Sequence, residues 1–235
     1  MKMKIKLFRP GHYFLSAAIN EWLFVSCCFS CLLLLGRMMA TTSLQYIFLP
    51  WNLFLAFIPY WITASMISNP GIAKSKIKLF AILAVWLMFI PNSFYIITDL
   101  FHFTNIRSAP KWFDLLMIFS FAWNGIVLGI VSVRKVEVLL SSLLKNKSFS
   151  VFIVLVVMWL NAFGVYIGRY LRFNSWDIIT NPFDLASDIG YMMIHPFRNA
   201  YSWGMILCYS LFMTFLYFTI KKLSESFSQA NTVSV

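Results

Sequence analysis

The chain has 235 residues, 60% of them hydrophobic and only 11% charged, with a formal net charge of +11. A soluble domain of that composition would lack the polar surface to cover itself, which excludes an ordinary water-soluble enzyme and leaves a polytopic membrane protein. The basic excess would suit a nucleic-acid partner, but sorted by loop it reads as a topology signal, and no nucleic acid is expected.

Apolar runs of about 20 residues, the length a bilayer core requires of a helix, occur six times, over about 18–38, 44–67, 79–98, 113–133, 149–169 and 201–220. The runs are continuously apolar, without the alternation of a membrane barrel. The expected fold is therefore an all-α membrane protein, a single polytopic domain over 1–235 built as a six-helix transmembrane bundle. A basic tail (about 1–17) precedes the first span and a second tail (about 221–235) follows the last.

Lys2, Lys4, Lys6 and Arg9 precede the first span, Lys74, Lys76 and Lys78 follow the second, Arg134, Lys135, Lys145 and Lys147 follow the fourth, and Lys221 and Lys222 follow the sixth. The other side carries only Arg37, Arg107, Lys111, Arg169, Arg172 and Arg198. The positive-inside rule then predicts both termini in the cytoplasm of a cell (plasma) membrane protein. Asp99, Asp114, Asp177, Asp184 and Asp188 fall outside with His102 and His195, so titratable chemistry is expected at the extracytoplasmic face.

Along the chain, the first span holds Cys27, Cys28 and Cys31. Cys28-x-x-Cys31 is read as helix packing rather than a redox pair, since no outer cysteine pair exists to relay electrons. The second span carries Pro50, Asn52 and Pro59 and is expected to kink, with neighbours satisfying the freed carbonyls. The third is interrupted at Pro91-Asn92 and ends in Pro91-Asn-Ser-Phe-Tyr-Ile-Ile-Thr-Asp-Leu-Phe-His102. As an α-helix this stretch puts Asn92, Tyr95, Asp99 and His102 within an arc of about 80°. Asp114 opens the fourth span, where its charge suits the helix N-terminus.

The fifth span ends in Gly168-Arg-Tyr-Leu-Arg-Phe-Asn-Ser-Trp-Asp177. Asn161, Gly164, Gly168 and Arg172 share one helical face, a close-packing seam that ends in arginine. Asn52, Asn92, Asn124 and Asn161 place one amide in each of spans two to five, and these are expected to face inward and bond one another or water. In the last outer loop Asn181-Pro182 signals a helix start. The segment to Ile194 reads as an amphipathic interfacial helix ending before His195-Pro196.

The pairing of the two stretches, Pro91 to His102 and Gly168 to Asp177, together with Trp112-Phe-Asp114 and Ser120-Phe-Ala-Trp-Asn-Gly125, resembles the bacterial integral membrane proteins grouped as domain of unknown function 1361. The resemblance runs from about Leu44 to Tyr217 and implies a multi-pass membrane fold without supplying a reaction.

Two function classes follow. In the first the chain is a structural or scaffold protein of the cell envelope whose outer charges pair with one another, as Arg172 with Asp99 or Asp177. In the second it is a membrane-embedded hydrolase or transferase acting on a lipid-linked or envelope substrate, with Asp99 and His102 catalytic. Asn92, Tyr95, Arg169, Arg172, Asn174, Asp177 and His195 would then bind an anionic ligand, by paired hydrogen bonds at the arginines. A divalent metal is conceivable at the Asp/His set, but no specific motif supports one. A transporter ranks below both, since no acid falls within the middle of a span. The two stretches are expected to meet, with His195 brought close by the interfacial helix.

Overall fold

The computed structural model describes residues 11–69, 71–72, 75–103, 109–144 and 146–233. Lys2, Lys4, Lys6, Arg9, Lys74, Arg107 and Lys145, on which part of the charge sorting rests, lie outside the described residues. In chain order the helices are α1 (Gly11–Thr41), α2 (Phe48–Ser68), α3 (Lys76–Tyr95) running on into a 3-10 helix (Ile96–His102), and α4 (Lys111–Leu144). Then come α5 (Lys147–Tyr166) with a terminal π-helical turn (Ile167–Leu171), α6 (Asp177–Thr180), α7 (Pro182–Ile194) and α8 (Ala200–Val233). Among the described residues there is no strand.

Six of these helices, α1 to α5 and α8, are long and apolar enough to cross a membrane, and each overlaps most of one of the six expected spans, although α2 starts only at Phe48 and the third and fifth spans run on into the 3-10 and π-helical turns. Trp22, Phe24, Trp61 and Phe80 are more than 60% exposed, which water would penalise and lipid would not. Successive helices run up and down, so α1, α3 and α5 end where α2, α4 and α8 begin. We call this the Asp99 end and the opposite one the Glu137 end.

α4 is the axis. It packs against α1, α2, α3 and α5, and 67% of its apolar window is buried, against 17% for α1 and 22% for α8. Its residues Met117, Ile118, Phe121 and Ala122 meet Leu34, Tyr46, Leu49 and Leu53. Further along, Ile126, Ile130 and Val133 meet Ile90 and Phe94 of α3 and Met158 of α5. This three- and four-residue spacing is the buried stripe of a helix.

Polar contacts hold the proline-bearing helices. Around Pro59, which has no N–H to give, the Ala56 carbonyl accepts from Ser93 Oγ (2.9 Å) and the Pro59 carbonyl from Ser132 Oγ (3.0 Å). Trp86 Nε1 donates to the same Ser132 oxygen at 2.8 Å. Hydroxyls of α3 and α4 thus bond carbonyls of α2 on either side of the turn that Pro59 disturbs. Pro91 does not interrupt α3: the helix passes through it and changes character only at Ile96.

Two buried charge clusters mark the ends of α4. At the Asp99 end Arg37 of α1 holds Asp114 in a two-pronged pair, Nε to Oδ1 at 2.6 Å and Nη2 to Oδ2 at 3.2 Å, with both residues buried. The Tyr46 ring lies under the guanidinium, 4.5 Å from Cζ. At the other end buried Glu137 accepts from Arg134 Nη1, from Lys221 Nζ at 2.6 Å and from Tyr217 Oη at 2.5 Å, tying α8 to α4. From Asp114 to Glu137 the helix rises about 35 Å, slightly more than a bilayer core of about 30 Å. The separation of the clusters thus matches that of the two faces of a bilayer core.

Candidate functional site

The stretch Pro91 to Ile96 lies between two glycine seams. A Cβ on Gly164 would stand 2.6 Å from Pro91 Cγ, and one on Gly168 3.2 Å from the Tyr95 ring. On the other flank, a Cβ on Gly125 would run into Ile96 Cγ2 and stand 3.0 Å from the Ser93 carbonyl oxygen. Glycines on α4 and α5 thus let α3 approach both helices at backbone distance.

Beyond Tyr95 the chain tightens into the 3-10 form, which advances about 120° per residue instead of 100°. The predicted single polar stripe is thereby split. Tyr95 turns to α5, whereas Asp99, one 3-10 turn after buried Ile96, turns to α2. Asp99 is 1% exposed and its Oδ2 accepts from Asn52 Nδ2 at 2.8 Å. His102 stands one further turn on, its side chain 42% exposed and its Nδ1 4.0 Å from Asp99 Oδ1, beyond hydrogen-bond reach. Its ring centroid lies 4.9 Å from that of Phe48. Arg169 places its guanidinium 5.3 Å from the centre of the Phe101 ring, between Asp99 and His102 in the chain.

The second face of the stretch meets the Gly168 to Asp177 segment. Asn92 Nδ2 donates to Ser175 Oγ at 3.0 Å, and Ser175 Oγ donates in turn to the Met88 carbonyl at 3.2 Å. Asn174 and Asp177 close a small turn, with Asn174 N–H to Asp177 Oδ2 at 2.5 Å and Thr180 Oγ1 to Asp177 Oδ1 at 2.9 Å. The Asn174 amide, the larger cause, and the Thr180 hydroxyl hold this exposed carboxylate below its ordinary range. The two stretches therefore do meet, at Asn92–Ser175, Tyr95–Gly168 and Arg169–Phe101.

Other placements differ from expectation. Arg172 pairs with neither Asp99 nor Asp177. It stands at the end of the π-helical turn with a left-handed backbone (φ 62°), and its exposed side chain has no partner among the described residues. His195 does not join the junction: its Nδ1 lies 3.2 Å from the Tyr191 carbonyl, its ring stacks on Tyr191, and its own carbonyl accepts from Asn199. The interfacial helix α7 is present with Pro182 at its first position. It anchors through buried Met192 against Ala162, Tyr166 and Ile206, and its Leu185 lines the same cleft as Asn92, Tyr95, Gly168 and Ser175, so the helix lies beside the junction although His195 does not reach it.

The four span asparagines all turn inward, yet none bonds another. Asn52 takes Asp99, Asn92 takes Ser175, Asn124 Nδ2 donates to Ser30 Oγ at 2.9 Å, and Asn161 reaches only Met158 Sδ at 4.0 Å.

Between α2, α3 and α5 lies a cleft of about 450 Å³, walled by Leu55, Leu87, Met88, Leu160 and Phe163. Asn52, Asn92, Tyr95, Asn174 and Ser175 supply its polar lining. Asp99, His102 and Arg172 are not among the lining residues. Among the described residues no three of His, Cys, Asp or Glu gather closely enough to hold a metal ion.

Sequence reasoning missed two groups. Arg37 was grouped with the outer cations although it is a lone charge late in an apolar run, itself a signal of a buried partner. Glu137 stands beside Arg134 and Lys135, and nothing local names Lys221, 84 positions on.

Fold and site define a class: a multi-pass helical membrane protein with an Asp/His pair and an amide-lined cleft near one end of the bundle. The model of the family described as protein of unknown function (DUF1361) matches residues 51–216, well over half of the chain, and the chain belongs to that family. That match takes in both motif stretches. No curated protein and no solved structure matches the chain.

Proposed function

We propose that this is a non-enzymatic scaffold protein of the bacterial cell envelope, held in the plasma membrane with both termini in the cytoplasm. The observation that carries the reading is that each of the buried acids, Asp99, Asp114 and Glu137, is met by a side chain of another helix, and none is among the residues lining the cleft between α2, α3 and α5. A catalytic or ligand-binding carboxylate is ordinarily left with its acceptor capacity turned to a cleft. These acids spend theirs on joining α2 to α3, α1 to α4 and α4 to α8.

In a deletion strain, Asp99→Asn and His102→Gln are expected to restore envelope integrity to the wild-type level, with purified protein still folded by thermal unfolding in detergent. Loss of complementation at an unchanged unfolding temperature would overturn the scaffold reading. One observation favours the alternative, an enzyme acting on a lipid-linked or envelope substrate: the half-exposed His102 imidazole backed by a buried carboxylate at 4.0 Å, an arrangement suited to a general base. The same two variants decide between the readings.

Orientation has its own test. In a chain whose four cysteines are replaced by serine, a cysteine at Thr180 is expected to react with a membrane-impermeant thiol reagent added to whole cells, and one at Asn146 is expected not to. The reverse pattern would place both termini outside.

A further inference from the structure

We infer that the cleft between α2, α3 and α5 is a binding site for one membrane lipid with an anionic head group, its chain along α3 and its head at Arg172. This goes beyond the scaffold reading and does not depend on it.

The cleft is divided lengthwise. Its apolar part is walled by Leu55, Leu87 and Phe163 and reaches down to Ala84, whereas Asn92, Asn174 and Ser175 supply polar lining nearer the Asp99 end. From Asn92 to Ala84 the path along α3 is about 12 Å, most of the roughly 15 Å depth of one leaflet of a 30 Å core. An apolar slot of one leaflet's depth, open among lipid-facing helices and polar at one end only, has the shape of an acyl chain with its head attached. The polar end also lies deep. Asn92 is about 21 Å from Lys78 along α3, short of a full core, so polar groups reach further into the membrane here than at Asp99. A thinned flank of this kind draws head groups inward.

Charge selects the head. Arg172 directly precedes Phe173, Asn174 and Ser175 of the lining. Its side chain is exposed and, among the described residues, pairs with no acid. Asp177, the nearest acid in sequence, is engaged by Asn174 and Thr180. Arg172 also occupies the left-handed region, where a non-glycine residue is strained. Glycine would suit the backbone at this position, so Arg172→Gly removes the guanidinium without straining the chain. Its planar guanidinium, on the residue that leads directly into this lining segment, offers paired hydrogen bonds to a phosphate.

The test uses the purified full chain in neutral detergent, titrated with phosphatidylglycerol, with phosphatidylcholine of the same chains, and with soluble glycerol phosphate, following thermal unfolding. Phosphatidylglycerol is expected to raise the unfolding temperature at about tenfold lower concentration than phosphatidylcholine, and glycerol phosphate is expected to have no effect. Arg172→Gly suits the left-handed backbone and keeps the fold, but should erase the preference between the lipids, and Arg172→Lys should retain part of it. Ala84→Trp, which fills the foot of the slot, should weaken the response to both lipids at least fivefold. Equal response of the native chain to both lipids, a preference surviving in Arg172→Gly, or an undiminished response in Ala84→Trp would each overturn the proposal. A matching shift with glycerol phosphate alone would replace the lipid by a free anion and overturn it as well.

Discussion

Replacing Arg37 by Met is expected to lower the stability of the bundle by about 3–5 kcal/mol, because it leaves the Asp114 carboxylate buried without its cation. The pair is two-pronged and enclosed, Arg37 1% and Asp114 2% exposed, with the Tyr46 ring covering the guanidinium. Solvent screening, which reduces surface pairs to a fraction of that amount, has little access here. Asp114→Leu strands the arginine and should cost a similar amount. The double variant Arg37→Met/Asp114→Leu removes both charges and should recover most of the loss, since apolar side chains of similar volume often replace a buried pair without penalty. Unfolding in detergent of the four chains of this cycle gives the coupling directly. Single losses below about 1 kcal/mol, or additive ones, would show that the two charges do not depend on one another.

That pair also shows where reading the sequence reaches its limit. The six spans were legible because a bilayer imposes length and continuous apolarity, properties written locally. The meeting of the Asp99 stretch with the Gly168 to Asp177 segment was legible because glycines at four-residue spacing announce a close neighbour, and Gly164 and Gly168 receive Pro91 and Tyr95. Partner choice was not legible. Arg37 and Asp114 stand 77 positions apart, and nothing local singles out this acid for this cation. The 3-10 turn at Ile96 was hidden for a related reason. The β-branched run Ile96-Ile97-Thr98 weakens an α-helix but does not announce the 3-10 form, and the close seating of Ile96 against Gly125 is a tertiary contact that the local sequence does not name. Once the pitch changes, Asp99 turns toward Asn52 and away from Tyr95, and a site drawn on an ideal helix places it wrongly. Arg172 fails likewise, because a left-handed arginine has no local signature.

Adding a single methyl group at Gly125 or Gly164 is expected to destabilise the protein by about 1–3 kcal/mol, the usual effect of forcing atoms into a filled interface. At Gly164 the new carbon would lie 2.6 Å and 2.8 Å from two atoms of the Pro91 ring, which cannot rotate away. At Gly125 it would meet Ile96 Cγ2 and also the Ser93 carbonyl, whose backbone can yield only by shifting α3. Gly204 in α8 supplies the control, since a Cβ there meets nothing within 4 Å. Gly204→Ala should therefore stabilise by up to about 1 kcal/mol through helix propensity alone. The sign of the effect thus depends on packing, although all three residues are helical glycines and the substitution is identical. Because Gly125 and Gly164 press on the same six residues from opposite sides, the double Ala variant should depart from additivity, α3 having no direction left in which to relax. A shift of that stretch would also separate Asn92 from Ser175 and Asp99 from Asn52, so loosening should reach the end of the bundle. Thermal unfolding of the three single variants and the double decides it: if Gly125→Ala and Gly164→Ala are as well tolerated as Gly204→Ala, the seams do not position the Asp99 stretch.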